Sequence, residues 1–157
     1  MTYSTFDVAN TVLEKAFSRH TRLNVIQLQR ILFLLDCEYR QLSGATLPVG
    51  QWACFDYGPA LWSIHYKCEC LRNAHLSHYL RDAADNSYVV GDNPELTAAL
   101  ERIWPRVEKL NTVTLCEITR APGSPWRAAW DNDQTMLDDD LVTGWTGYRD
   151  ALNIPHP

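Results

Sequence analysis

Apolar residues in the stretch Leu23–Leu35 run almost all the way round a helical wheel. Leu28, Ile31, Leu32 and Leu35 form one stripe, while Ile26, Phe33 and Leu34 carry apolar surface to the other side. A helix apolar over most of its circumference has to be wrapped by other elements, so this pattern predicts the central helix of the fold. Asn24 offers a side-chain oxygen to cap its start, and Gly44 offers the left-handed position that ends it. The one charge inside the stretch is Arg30, beside Gln27 and Gln29.

The flanking patterns are amphipathic. Phe6, Ala9, Leu13, Ala16 and Phe17 share a face, predicting a first helix over Phe6–Phe17 with Ser4 or Thr5 as its cap and Asp7 in its first turn. The short turn Ser18–Arg22 should lay it against the central helix. Gln51–Tyr57 contains Trp52, Phe55 and Tyr57, too aromatic for an exposed loop, and reads as an extended, packed segment. Gly58 and Pro59 read as a helix start with Pro59 at the first helical position; Leu61, Ile64, His65, Cys68 and Leu71 would face inward. Leu76–Leu80 and Ser87–Val90 read as the two arms of a small hairpin.

Asn93 and Pro94 begin a helix with Leu96, Leu100, Ile103, Trp104 and Val107 on one face, which Pro105 is expected to kink or stop. Shorter helices should begin at Thr112 or Thr114, where Thr114 and Glu117 have capping-box spacing, and at Ser124 followed by Pro125. Asp131–Thr135 reads as a mobile loop. Asp138, Asp139 and Asp140 should open a final helix with Leu141, Trp145, Tyr148 and Leu152 on one face. The expected architecture is mainly α: a single domain over residues 1–157, a helical bundle of about six helices with one small β-hairpin.

Composition narrows the class. A chain of 157 residues buries roughly 68–70% of its unfolded surface, so it can fold without a metal or a disulfide. Its net charge of −5 argues against a phosphate-tracking surface, and a nucleic-acid partner is not expected. The five cysteines (Cys37, Cys54, Cys68, Cys70 and Cys116) are odd in number and irregular in spacing, which suits reduced thiols in a cytoplasmic protein. The N-terminus has no basic, apolar leader pattern, and no apolar run approaches the length of a membrane span.

The densest set of chemically capable side chains is His65, Cys68, Cys70, His75 and His78. Zinc would need four of them in a tetrahedron, and Cys-x-Cys is a poor spacing for that. They read instead as core-facing (His65, Cys68) or semi-exposed residues, with a small metal-dependent enzyme as the weaker alternative. Asp138–Asp140 reads as a solvated helix cap rather than a cation site. There is no Gly-x-Ser-x-Gly, His-Glu-x-x-His or Gly-rich phosphate loop, so no catalytic residue and no cofactor is assigned.

Arg30 can be read in two ways. It either forms a partly buried ion pair with Asp56 or Asp36 that fixes the fold, or floors a partner-binding groove. The run Asp56, Tyr57, Gly58 and Pro59 divides likewise between a turn that aims a helix and an exposed recognition loop. Most tryptophans should be core, with Trp126 or Trp130 as candidate partner anchors.

Three of these stretches together resemble the Panacea domain family. Leu28–Leu34 (LQRILFL) is similar to its LQKLLYF signature, and Trp52–Pro59 (WACFDYGP) to its aromatic segment ending in Tyr-Gly-Pro. Leu115–Arg120 (LCEITR), followed by Gly123–Trp126 (GSPW), resembles its Thr-His and Pro-Trp element. Arg30 stands for the usual Lys, Phe33 for Tyr and Arg120 for His. The resemblance implies a mainly helical bundle acting as the antitoxin of a bacterial or phage toxin–antitoxin pair, usually by binding a cognate protein toxin directly. One branch is understood to act as a proteolytic adaptor that delivers its toxin to a Clp-type AAA+ protease. Many relatives carry an extra DNA-binding segment, for which this chain has no spare length. The residues expected at the partner surface are Arg30, Asp56, Tyr57, Gly58, Pro59, Pro125 and Trp126.

Overall fold

A computed structural model describes residues 3–156, and all structural statements below concern them. Its elements are α1 (Thr5–Ser18), α2 (Val25–Ser43), β1 (Ala53–Phe55), β2 (Gly58–Ala60), α3 (Trp62–Lys67), a 3-10 turn (Glu69–Leu71), α4 (Pro94–Val107), α5 (Thr112–Thr119), α6 (Pro125–Asp131), α7 (Asp139–Gly144) and α8 (Gly147–Leu152). The fold is mainly helical with one small antiparallel hairpin, β1–β2. There are eight α-helices among the described residues rather than about six. No helix there is long and apolar enough to cross a membrane.

The α2 helix is the axis. Asn24 caps it, with Asn24 and Gln27 exchanging side-chain and backbone hydrogen bonds, and Gly44 closes it at φ +72°. Leu28 and the run from Ile31 to Leu35 are all buried, because α1, α3, α4, α5, α7 and β2 pack around it. Ser4 and Asp7 form a capping box at the start of α1. Asn93 caps α4, which continues past Pro105 to Val107 instead of stopping there. α5 begins at Thr112, one of the two starts expected, and its cap is Asn111 rather than Thr114.

Three predicted elements take other forms. Gly58 and Pro59 do not start a helix; they are in β2, where Cys54 pairs with Pro59 and Phe55 with Gly58. The backbone stays extended because α2 draws on it from the side: Arg30 donates to the carbonyls of Tyr57 and Pro59, and Gln29 brackets the N–H and carbonyl of Leu61. The Leu61 carbonyl accepts from Gln29 and also takes the first helical bond, from the His65 N–H, and α3 begins at Trp62.

The expected hairpin over residues 76–90 is absent. Its backbone is satisfied by α1 instead: Asn10 pairs with both the N–H and the carbonyl of Leu80 and donates to Tyr88, while Thr11 accepts from Val90. A strand ladder has nothing left to satisfy at those positions.

The last predicted helix is broken in two at Trp145 and Thr146. Gly144 and Gly147 flank the break, weak helix formers at the point where the chain turns. The break lets Val142, Tyr148 and Arg149 all reach the core, whereas Leu141, expected inside, is exposed. The segment Asp131–Thr135 is exposed throughout; at its end Cys54 of β1 donates to the Thr135 carbonyl, and just beyond it Leu137 donates to that of Trp52.

Five charged side chains are buried, and four form two groups along α2 and its neighbours. Asp36 accepts from Arg40 at 2.9 Å, from the Trp52 indole at 2.8 Å and from the Leu47 N–H at 3.1 Å. Glu38 accepts from Tyr148 at 2.7 Å and from Arg149 at 2.9 Å, and Arg102 approaches it at 3.3 Å from the half-open side. Burial and the Glu38 carboxylate push the Tyr148 hydroxyl well above its usual range, so it remains a donor at any physiological pH. Removing one member of such a group strands a buried charge. Glu38→Ala is therefore expected to destabilise the fold by about 3–5 kcal/mol, read as a fall in the urea midpoint at unchanged slope. A loss below about 1 kcal/mol, the scale of an exposed pair, would show that this cluster does not hold α8.

Candidate partner-binding surface

Three stretches far apart in the chain meet at the β1–β2 hairpin. From α2 come Gln29 and Arg30, which hold β2 as described. From α6, the Trp126 indole N–H donates to the Phe55 carbonyl at 2.6 Å. From the end of α5, Arg120 reaches the Asp56 carbonyl at 3.4 Å. Gly58 has φ +135°, and a Cβ there would lie 2.7 Å from Arg30 Nε. A glycine is required both by the backbone and by the guanidinium passing beneath it.

The hairpin and α3 together present rings to solvent. Trp62, His65 and Tyr66 fall at spacings of three and four on one side of α3, opposite Ile64 and Cys68, which go to the core. Phe55 packs on this row, 4.6 Å from the Trp62 ring and 5.1 Å from His65, and Trp62 stacks on Tyr66 at 5.4 Å. The turn adds Tyr57, which is 63% exposed, beside Trp62 at 45% and Tyr66 at 64%. On the α6 side Trp130 is exposed and stacks on Trp126 at 5.0 Å, with Arg127 over the Trp126 ring at 5.2 Å. Large rings of this kind, rigid and partly desolvated by one another, are the residue types that anchor protein interfaces.

The expected surface residues separate into two groups. Asp56 and Tyr57 are exposed at the turn. Arg30, Gly58, Pro59, Pro125 and Trp126 are buried and brace the hairpin from within, Arg30 also lining a cavity beside it. Trp126, read as a candidate anchor, is a core residue whose exposed neighbour is Trp130. Trp62 and Tyr66 were not singled out from the sequence. Their signal was present, as aromatic positions lying off the inward stripe of Leu61, Ile64 and Cys68.

Arg30 does not pair with Asp56 or Asp36. Asp36 is already occupied by Arg40, Trp52 and Leu47, and none of the ion pairs among the described residues involves Arg30. Among the described residues its oxygen partners are the Tyr57 and Pro59 carbonyls, although it is just 2% exposed. Burial lowers its pKa from the usual guanidinium value; the Cys116 side chain beside it opposes that shift and Arg120 adds to it. An arginine remains charged throughout.

Among the described residues no three His, Cys, Asp or Glu side chains gather into a group that could hold a metal. His65 belongs to the ring cluster and Cys68 is buried, while Cys70, His75 and His78 are exposed. Burial pushes the Cys68 thiol up to about 11, with Cys70 adding to the shift.

Two predictions follow from this geometry. Gly58→Ala is expected to cost about 1–3 kcal/mol through strain and overpacking against Arg30, whereas Tyr57→Ala and Tyr66→Ala should each stay within about 0.5 kcal/mol. Equal costs by thermal or urea unfolding would contradict the division into scaffold and surface. Only the thiolate is nucleophilic, and with the Cys68 thiol at about 11 roughly one molecule in a thousand carries it at pH 8. In the folded protein Ellman's reagent should react first with exposed Cys70 and leave Cys37 and Cys68 until denaturant is added. Mass mapping of labelled peptides checks the order.

No protein-family model matches this sequence, and no curated protein or solved structure matches it either.

Proposed function

We propose that this chain is a non-catalytic binding protein, the antitoxin of a bacterial or phage toxin–antitoxin pair. It holds a cognate protein toxin on the face formed by Tyr57, Trp62, Tyr66 and Trp130. The observation that carries this reading is the ring cluster on the β1–β2 hairpin and α3, where large aromatic side chains are exposed on a tightly braced support. Exposed apolar patches of this kind are a property of interaction surfaces. The resemblance to Panacea domains adds the class of partner, because the stretches that carry it are those that meet at this hairpin.

The test is a growth assay with the neighbouring reading frame, induced alone and together with this protein. Toxicity alone and rescue together are expected, with a stable complex on co-purification. The double variant Trp62→Ala, Tyr66→Ala should lose rescue and at least ten-fold in affinity while keeping its helical circular dichroism. A partner that vanishes from cells only when a Clp-type protease is present would replace neutralisation by delivery. Rescue undiminished in the double variant would remove this face from the proposal.

A further inference from the structure

The buried charges of this protein do not balance. Arg40 and Arg149 each face a buried carboxylate, Asp36 and Glu38 respectively. Arg30, the third buried cation, has carbonyls and a thiol around it and no carboxylate partner among the described residues. Its Nε and Nη1 are committed to Tyr57 and Pro59, while Nη2 donates to no oxygen there. Burying a guanidinium among neutral acceptors, with no opposing charge beside it, is costly.

Arg30 also lines a cavity of about 320 Å³ between α2, the hairpin and α3. Phe55, Tyr57 and His65 form part of its aromatic wall, and Arg72 adds a second cation. The one carboxylate lining it is Glu69, exposed on the 3-10 turn and paired with neither arginine among the described residues. The cavity therefore combines a buried fork-shaped donor, a second positive charge and a wall of rings.

The geometry points to a carboxylate-binding subsite in this cavity: one acidic group of the partner protein enters past Phe55 and Tyr57 and is held by Arg30, with Arg72 as the second cation. This rests on the partner-binding reading above and names the chemistry of one contact within it. A guanidinium receives a carboxylate with planar, charge-assisted hydrogen bonds, and the rings receive the apolar stem or a neighbouring side chain. A single carboxylate matches the single uncompensated charge. A phosphate dianion would leave negative charge over, with Glu69 lining the same cavity.

The experiment is a titration of the ¹⁵N-labelled full chain with phenylacetate, phenylacetamide and phenyl phosphate, followed by NMR. Phenylacetate is expected to shift the Arg30 Nε–H and Trp62 indole resonances saturably, and phenylacetamide to bind at least ten-fold more weakly. Arg30→Met should abolish the effect. Because Arg30 also braces the hairpin, Arg72→Gly is the companion variant: glycine suits the φ of +51° at this position, and the substitution should weaken phenylacetate at least three-fold with the spectrum otherwise retained. Equal binding of the amide, shifts that spread without saturating, or no loss in Arg72→Gly would overturn the subsite. Phenyl phosphate binding ten-fold tighter than phenylacetate would overturn the carboxylate and reassign the cavity. No toxin enters this measurement, so failed growth rescue with intact phenylacetate binding would count against the antitoxin reading and not against the subsite.

Discussion

The structure depends on polar side chains buried along one otherwise apolar helix. Gln29, Arg30, Asp36, Glu38 and Arg40 all lie on α2, and each satisfies a group contributed by another part of the chain or by its own neighbour. Gln29 and Arg30 take the backbone of β2 and Leu61. Asp36 takes Trp52 and the Leu47 N–H, and Glu38 takes Tyr148 and Arg149 from α8. A buried polar group without its partner costs on the order of 1–3 kcal/mol, so these contacts specify which loop lies where more sharply than apolar packing can. Apolar contacts tolerate a shift along the helix; a bracketed amide or a paired carboxylate does not.

For the proposed binding role, the relevant feature is a hairpin held from below on both strands. Tyr57 and Pro59 are held through their carbonyls by Arg30, Phe55 through its carbonyl by Trp126, and Asp56 through its carbonyl by Arg120. The side chains left at its outer face are Phe55, Asp56 and Tyr57, two of them aromatic. A rigid presentation of this kind lowers the ordering cost of binding, which is where a small interface gains affinity. The same bracing explains why Trp126, for all its size, works as scaffold while Trp130 and Trp62 stand in solvent.

A second theme is competition for backbone hydrogen bonds. The segment from Leu76 to Val90 has the alternation of a hairpin, but Asn10 and Thr11 on α1 reach its backbone first. The segment from Gly58 to Leu61 has the residues of a helix start, yet Arg30 and Gln29 occupy the carbonyls and N–H that a helix would use. In both places a side chain from a distant helix decided the conformation, and local propensity gave way.

The central helix was legible because its signals are local: an all-round apolar stretch, Asn24 before it and Gly44 after it, each acting within a few residues of chain. The same holds for α1 with Ser4 and Asp7, α4 with Asn93 and Pro94, and α6 with Ser124 and Pro125. Capping, proline placement and helical periodicity are short-range physics, and the sequence determined the mainly helical class through them. Apart from Arg40, one helical turn from Asp36, the partners of Arg30, Asp36 and Glu38 could not be read, because they lie from 11 to 111 residues away along the chain. Which aromatic rings face outward was likewise settled only when those partners closed on the hairpin. Tertiary structure decided the site, since a buried charge or amide takes whatever complementary group the fold brings to it, and sequence distance does not constrain that choice.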